Sequence, residues 1–238
     1  MGRGVATGGV GPVSERFTDR LRSDAEPTWS AATGHRFTEE VGAGTVPDAV
    51  FAEYLTQDYA FVDALASLVG YAVAQAPRYP AKQRLGGFLA TIVDEESDYF
   101  ERSFDALGVP ESAWTDPQRR PPTRAFADLI HRAGARGGYA ETLAVLVPVE
   151  WIYAEWASAA PEGRPEQFYL AEWVALHDNP AFHDTVSFLR SELDAAAVGA
   201  SEARRAEIAR LFDRAVELEV AFFDAAYEYA DAEVPDDG

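Results

Sequence analysis

Two carboxylic acids stand at positions of the sequence where helical periodicity calls for apolar residues. Around Asp58, apolar residues recur at intervals of three and four: Phe51, Leu55, Val62, Leu65 and Val69. Around Glu219, the same spacing is formed by Ile208, Phe212, Ala215, Phe222 and Ala226. This spacing is typical of the buried face of a helix. A buried carboxyl can accept hydrogen bonds from a ligand or, with a raised pKa, act as a general acid or base.

A purely structural role is the alternative for both acids. A buried carboxylate is costly unless another group pairs with it, and Asp58 could accept hydrogen bonds from an arginine, a tryptophan or the backbone. Salt-bridged cores also contain such acids. Two inward-facing carboxyls on different helices are nevertheless more than a scaffold needs. The pattern therefore favours a functional site.

Further candidates lie in the segment LVPVEWIYAE, residues 146–155. Pro148 would leave the carbonyl of Ala144 without its helical partner and kink the helix, and kinks of this kind often line cavities. Glu150 and Tyr153 lie one turn apart, so either could flank a cavity. Pairing of Glu150 with an arginine, and packing of Tyr153 in the core, are equally compatible with the sequence.

The four histidines do not have the spacing of a metal site. His177 and His183 straddle Asn179-Pro180, so they cannot share one helical face. A di-metal bundle needs Glu-x-x-His pairs from two helices, whereas Asp128 before His131 is the single pair at that spacing. The sequence therefore predicts no metal and no other cofactor. A metal-dependent oxygenase is the alternative, and its iron ligands would come from this set: His131, His177, His183, Glu95, Glu96 and Asp178.

Composition excludes several kinds of chemistry and partner. The 238 residues include no Cys, which excludes disulfides, thiolate zinc sites and a cysteine nucleophile. Forty acidic against twenty basic residues give a charge of −20, which repels phosphate backbones and argues against a nucleic-acid partner. No apolar run reaches the roughly 18–20 residues of a membrane span, and residues 1–13 lack the core of a signal peptide. We expect a cytoplasmic protein without a membrane partner.

The basic residues are themselves unusual, because Lys82 is the single lysine and the other nineteen are arginine. Together with the excess of acids, this composition resembles proteins from organisms with a very salty cytoplasm. An ordinary acidic surface that serves solubility is the alternative.

From about Glu15 onward the pattern is helical, and breaks at Gly or Pro predict about eight helices. They span residues 15–42, 48–76, 81–107, 122–134, 139–160, 165–178, 181–197 and 201–232. Long helices joined by short loops pack as a bundle, whose interior holds cofactor or substrate sites. The sequence predicts an all-α, single-domain bundle over residues 15–238, preceded by a flexible N-terminus, residues 1–14.

The stretch VGAGTVPDAVFAEYLTQDYAFVD, residues 41–63, resembles the second-helix signature of the TenA (thiaminase II) family: a Gly-Thr-x-Pro turn followed by a helix that carries Gln-Asp. The resemblance continues through residues 94–104, 146–155, 169–173 and 217–227. It implies a haem-oxygenase-like fold without haem and a homo-oligomer, tetramer or dimer. It also implies hydrolysis of thiamin or its aminopyrimidine breakdown products to hydroxymethylpyrimidine.

The same resemblance implies roles for the residues already singled out. Asp58 matches the aspartate that binds the aminopyrimidine, Tyr153 matches a substrate-contacting tyrosine, and Glu219 matches the glutamate described as proton donor. Two of these positions are the acids that periodicity places on buried faces.

The chain also departs from the family pattern. Val149 stands in place of the nucleophilic cysteine, Phe61 and Phe126 replace two pocket tyrosines, and His177 replaces a third. The chain therefore resembles the cysteine-free branch of the family, in which a glutamate is thought to compensate and aminopyrimidines are the favoured substrates.

These observations predict a thiamin-salvage hydrolase in which Asp58 holds the amidine-like edge of an aminopyrimidine. Glu219 would protonate the departing amine, and Glu150 or His177 would activate water. The apolar slot around the ring would be formed by Phe61, Phe126, Val149, Tyr153 and Trp151 or Trp156. The alternatives are a pyrimidine-binding protein without catalysis, the oxygenase, and a structural oligomer with a filled core.

Overall fold

The computed structural model describes residues 15–161, 163 and 165–230, and all of their side chains except those of residues 94–97. This part of the chain forms helices and no strand, so the expected all-α class is confirmed. The helices are α1 (Phe17–Asp24), α2 (Thr28–Thr33), α3 (Arg36–Ala43), α4 (Asp48–Gln75), α5 (Tyr79–Leu107), α6 (Glu111–Thr115), α7 (Pro121–Arg136), α8 (Tyr139–Ser158), α9 (Phe168–His177), α10 (Pro180–Ala197) and α11 (Glu202–Ala230). The expected flexible segment 1–14 and the end of the predicted last helix lie outside the described residues.

The main difference from the expected helices is at the N-terminal end. The predicted first helix, residues 15–42, is divided into α1, α2 and α3. Pro27 precedes α2 and Gly34 follows it, and neither residue type favours a continuous helix. His35 then begins α3, because its side chain accepts a hydrogen bond from the Phe37 backbone N–H at 3.1 Å. The other seven predicted helices correspond to α4, α5 and α7–α11 with small shifts at their ends, and α6 lies in the predicted loop 108–122.

Helix α8 lies at the centre of the bundle. Fifteen of its twenty residues are buried, which is typical of a helix that is apolar on all sides. It packs against α4, α7, α9, α10 and α11, while α4 in turn packs against α5, α7 and α11. Pro148 lies inside α8, as expected. No helix in the described part of the chain is both long and apolar enough to cross a membrane.

Three helices of this central group carry the buried acids that the sequence singled out. Asp58 of α4 is 4% exposed, Glu150 of α8 is 6% exposed and Glu219 of α11 is 2% exposed. The burial that periodicity predicts for Asp58 and Glu219 is confirmed, because each lies among the apolar residues of its own helix.

Candidate functional site

A cavity of about 330 Å³ lies between α4, α5, α8, α9 and α10. Its volume falls at the lower end of the ~300–1,000 Å³ typical of small-molecule sites. Six of the eight predicted site residues line it: Asp58, Phe61, Val149, Glu150, Tyr153 and His177. Residues that are distant in the sequence thus converge on one space large enough for a small ligand.

The other two predicted site residues lie behind the cavity wall. Phe126 is buried and packs edge to face against Phe61, with ring centroids 5.1 Å apart. It supports the wall instead of forming it. Glu219 is also absent from the lining, although it is close enough to Asp58 and Glu150 for their charges to act on it.

Burial raises the pKa of Glu219 well above its usual value, and the nearby Asp58 and Glu150 carboxyls raise it further. Ionising Glu219 would place another negative charge in an apolar interior beside two acids. Its carboxyl therefore keeps its proton to a higher pH than an exposed glutamate would. A protonated carboxyl can donate a proton, which is the chemical role expected for this residue.

Two buried tyrosines lie close enough to Glu219 for its charge to raise their pKa values. The hydroxyl oxygens of Tyr54 and Tyr153 are 2.6 Å apart, a hydrogen-bonding distance. Burial raises the pKa of both phenols well above 10, and among charged groups Glu219 contributes most to the shift of Tyr153. Tyr153 lines the cavity, whereas Tyr54 and Glu219 do not.

Tyr54 is a site residue that the sequence argument missed. It lies one turn before Asp58 on the buried face of α4 and contacts Phe37 and Trp173. Tyr54 lies three residues after Phe51 and four before Asp58, so the same helical spacing includes it. A tyrosine among phenylalanines on that face is easily taken as core packing.

His177 presents one ring nitrogen as a hydrogen-bond acceptor. Its Nδ1 lies 2.8 Å from the carbonyl oxygen of Trp173, and because a carbonyl only accepts, Nδ1 carries the hydrogen. Burial lowers the pKa of His177 to about 4, against the opposing effect of this hydrogen bond. The ring is therefore neutral near pH 7, and Nε2 is left with a lone pair.

The aromatic wall differs from the expected one. Trp173 and Phe182 line the cavity, whereas Trp151 and Trp156 are absent from its lining. The ring centroid of Trp151 instead lies 4.8 Å from that of Trp29, and the guanidinium of Arg190 of α10 lies over the Trp151 ring. The prediction that Trp151 or Trp156 forms part of the apolar slot around the pyrimidine ring was therefore wrong. Helical spacing does not distinguish core-facing from cavity-facing tryptophans.

Arg84 is the single lysine or arginine among the described lining residues, and its charge is paired. It donates to the Asp184 carboxylate at 2.5 Å and lies 4.2 Å from the Phe188 ring centroid. The lining also contains two acidic side chains, Asp58 and Glu150. The negative field of these acidic side chains suits a neutral or weakly basic ligand better than an anion.

The histidines and acids of the oxygenase alternative are dispersed. Among the side chains that the structure describes, no three His, Asp or Glu residues are grouped so that they could hold a metal ion. His183 Nε2 donates to the Asp178 carboxylate at 2.9 Å near the protein surface, and His131 is an exposed residue of α7. The side chains of Glu95 and Glu96 lie outside the description.

Comparison with known proteins agrees with this architecture. A model of the TENA/THI-4/PQQC family matches residues 22–229. The aminopyrimidine aminohydrolase of Halalkalibacterium halodurans is 24% identical over 214 residues, which cover 89% of this chain and 95% of that protein. The aminopyrimidine aminohydrolase of Bacillus subtilis is 23% identical over 212 residues, covering 89% and 90%.

Solved structures show the same fold. The TenA homologue from P. horikoshii superposes with a TM-score of 0.80 at 22% identity, covering 90% of this chain and 99% of that one. The haem complex of heme oxygenase-1 from Synechocystis gives a TM-score of 0.58 at 12% identity, with 92% and 96% covered. The expected haem-oxygenase-like bundle is confirmed by this likeness.

Proposed function

Because the chain belongs to the TENA/THI-4/PQQC family, we propose that it hydrolyses aminopyrimidine products of thiamin degradation without a cysteine nucleophile. The observation that carries this proposal is the convergence of Asp58, Glu150 and Tyr153 on one cavity, with the buried Glu219, whose pKa is raised, close to Asp58 and Glu150. Relatives named aminopyrimidine aminohydrolase that match most of the chain support the same activity.

Asp58 recognises the substrate in this proposal. Its carboxylate accepts two hydrogen bonds from the amidine-like edge of a 4-amino-2-methylpyrimidine, which presents an amino group beside a protonated ring nitrogen. Phe61, Val149 and Trp173 give the ring an apolar slot. The acidic interior favours this weakly basic heterocycle over a phosphate ester.

Hydrolysis then needs a base for water and an acid for the departing amine. Glu150, or the Nε2 lone pair of His177, takes a proton from a water that attacks the exocyclic methylene carbon. Glu219 supplies the proton to the amine, and the hydroxyl of Tyr153 passes it through the cavity wall. Val149 takes no part in covalent chemistry, since its side chain has no nucleophilic atom.

We expect the purified protein to release hydroxymethylpyrimidine from 4-amino-5-aminomethyl-2-methylpyrimidine much faster than from thiamin. The reason is that water, and not a cysteine, must displace the leaving group, and the cavity offers an acid for an amine. Liquid chromatography that monitors product formation from each compound measures the two values of kcat/KM. Binding of the aminopyrimidine with no turnover of either compound would instead favour the pyrimidine-binding alternative.

We further propose that residues 15–238 form one domain that assembles as a homotetramer or dimer in the cytoplasm of a halophile. One apolar core runs from Leu21 of α1 to Ala226 of α11, which supports a single domain. The net charge of −20 supports a salt-rich setting, because salt screens repulsion between acidic surfaces. Light scattering should then show the oligomer at molar KCl and its dissociation at low salt. A monomer at both salt concentrations would contradict the assembly.

A further inference from the structure

Two consecutive glycines, Gly86 and Gly87, lie inside α5, and no close packing against another helix requires glycine at either position. A Cβ atom built on either would meet no other atom within 4 Å, and neither has a positive φ. By contrast, a Cβ on Gly134 of α7 would lie 2.2 Å from the Tyr71 ring, so that glycine is needed for close packing. Because glycine destabilises a helix interior relative to alanine, Gly86 and Gly87 call for another explanation.

Gly87 lies on the face of α5 that lines the cavity. The lining residues of this helix recur at helical spacing: Arg84, Gly87, Phe88, Thr91 and Ile92. A side chain at position 87 would therefore project into the cavity, whereas Gly86 lies off this face. Gly87 and Thr91 are also exposed, which places them where the cavity opens to solvent.

Small residues of α10 complete this opening. Ala181 and Thr185 also line the cavity, and the bond from Arg84 to Asp184 joins α5 to α10 beside them. We call Gly87, Thr91, Ala181 and Thr185 together the α5–α10 slot. Gly87, Thr91 and Ala181 are exposed and Thr185 is half-buried, so the slot is the part of the cavity lining that reaches the surface.

The slot offers hydrogen-bond acceptors and no unpaired charge among its described neighbours. Thr91 Oγ1 donates to the Gly87 carbonyl at 3.3 Å, and Thr185 Oγ1 donates to the Ala181 carbonyl at 3.0 Å. Each hydroxyl hydrogen is therefore used by its own helix, which leaves the oxygen lone pairs as acceptors. The charge of Arg84, beside the slot, is paired with Asp184. A narrow, uncharged chain that ends in a hydroxyl fits this chemistry.

We propose that the α5–α10 slot holds a substituent on the leaving amine, so that the enzyme also accepts aminopyrimidines whose exocyclic amine carries a short hydroxyalkyl chain. This inference rests on the proposed function and extends its substrate class. The oxygen of water forms a C–O bond to the methylene carbon while the C–N bond breaks. The electron pair of that bond stays with the nitrogen, which takes up a proton. The products are hydroxymethylpyrimidine and a primary amine instead of ammonia.

The test compares 4-amino-5-aminomethyl-2-methylpyrimidine with its N-(2-hydroxyethyl) derivative as substrates. Wild-type protein should hydrolyse both, with values of kcat/KM within about tenfold of each other. Gly87→Leu should lower kcat/KM for the hydroxyethyl compound at least about tenfold more than for the primary amine, because the leucine fills the slot. Gly86→Leu, the matched control one residue away, should leave the ratio of the two values unchanged.

Folding is controlled in the same experiment. Leucine is a strong helix former, so both variants should have thermal midpoints equal to or above that of wild type. If the wild type hydrolysed the primary amine but not the hydroxyethyl compound, the proposal for the slot would be overturned and the proposed function would remain. An equal effect of Gly87→Leu on both substrates would also overturn it. Failure of wild type with both compounds would overturn the proposed function itself.

Discussion

A Glu219→Gln protein is expected to lose about 10²–10⁴-fold in kcat on the aminopyrimidine substrate, which is the usual contribution of a general acid. Burial, and the nearby Asp58 and Glu150, raise the pKa of the wild-type carboxyl well above its usual value, which favours its protonated form. Glutamine has nearly the same shape and the same zero charge as that protonated acid, but it cannot transfer a proton. The loss should therefore fall on kcat, while KM changes little.

The pH dependence gives the same prediction an independent measurement. A general acid works while it is protonated, so kcat of the wild type should fall as the pH rises through the raised pKa of Glu219. Stability should change with the same sign. Protonated Glu219 supports the fold below its ordinary pKa, and that contribution is lost as the pH rises through the raised value. Urea midpoints of Glu219→Gln should lack this decline.

Glu192→Gln is a suitable control, because Glu192 is also a buried glutamate outside the lining but, unlike Glu219, is not among the groups that shift the pKa of the cavity residue Tyr153. It accepts hydrogen bonds from Arg78 and Tyr139, so its replacement should lower stability and leave turnover intact. A Glu219→Gln protein with full turnover would show that the proton comes from another group.

Periodicity located the buried acids because it depends only on residue type and on the geometry of one helix. Asp58 and Glu219 replace apolar residues in stripes that repeat over several turns, and such stripes are buried whatever the neighbouring helices are. Their burial, the bundle and most helix ends therefore followed from the sequence. The resemblance to a known family added an expected role for each acid.

The sequence could not show which inward-facing residues reach the cavity. Glu219 and Phe126 are buried but do not line the cavity. Whether they reach it depends on how α7 and α11 pack against α8 and α4, which one helix's pattern does not show. The hydrogen bond between Tyr54 and Tyr153 joins residues 99 positions apart, which no local pattern encodes. The slot at Gly87 likewise needs α10 beside α5.

An Asp58→Asn protein is expected to bind 4-amino-5-hydroxymethyl-2-methylpyrimidine about 10–100-fold more weakly, since a charge-assisted hydrogen bond contributes about 1.5–3 kcal/mol. A carboxylate can accept two hydrogen bonds from the amidine-like edge, whereas asparagine can accept with its oxygen but turns N–H donors toward the other donor. Calorimetric titration of both proteins measures the difference.

Asp48→Asn provides the matched comparison for this binding experiment. Asp48 lies on the same helix, α4, and accepts a hydrogen bond from Tyr169 at 2.7 Å, outside the cavity lining. The same substitution there should change stability and leave ligand affinity unaltered. If Asp58 were a scaffold residue, Asp58→Asn would lower the thermal midpoint but leave the dissociation constant equal to that of wild type. Loss of affinity at Asp58 alone therefore separates recognition of the pyrimidine from support of the bundle.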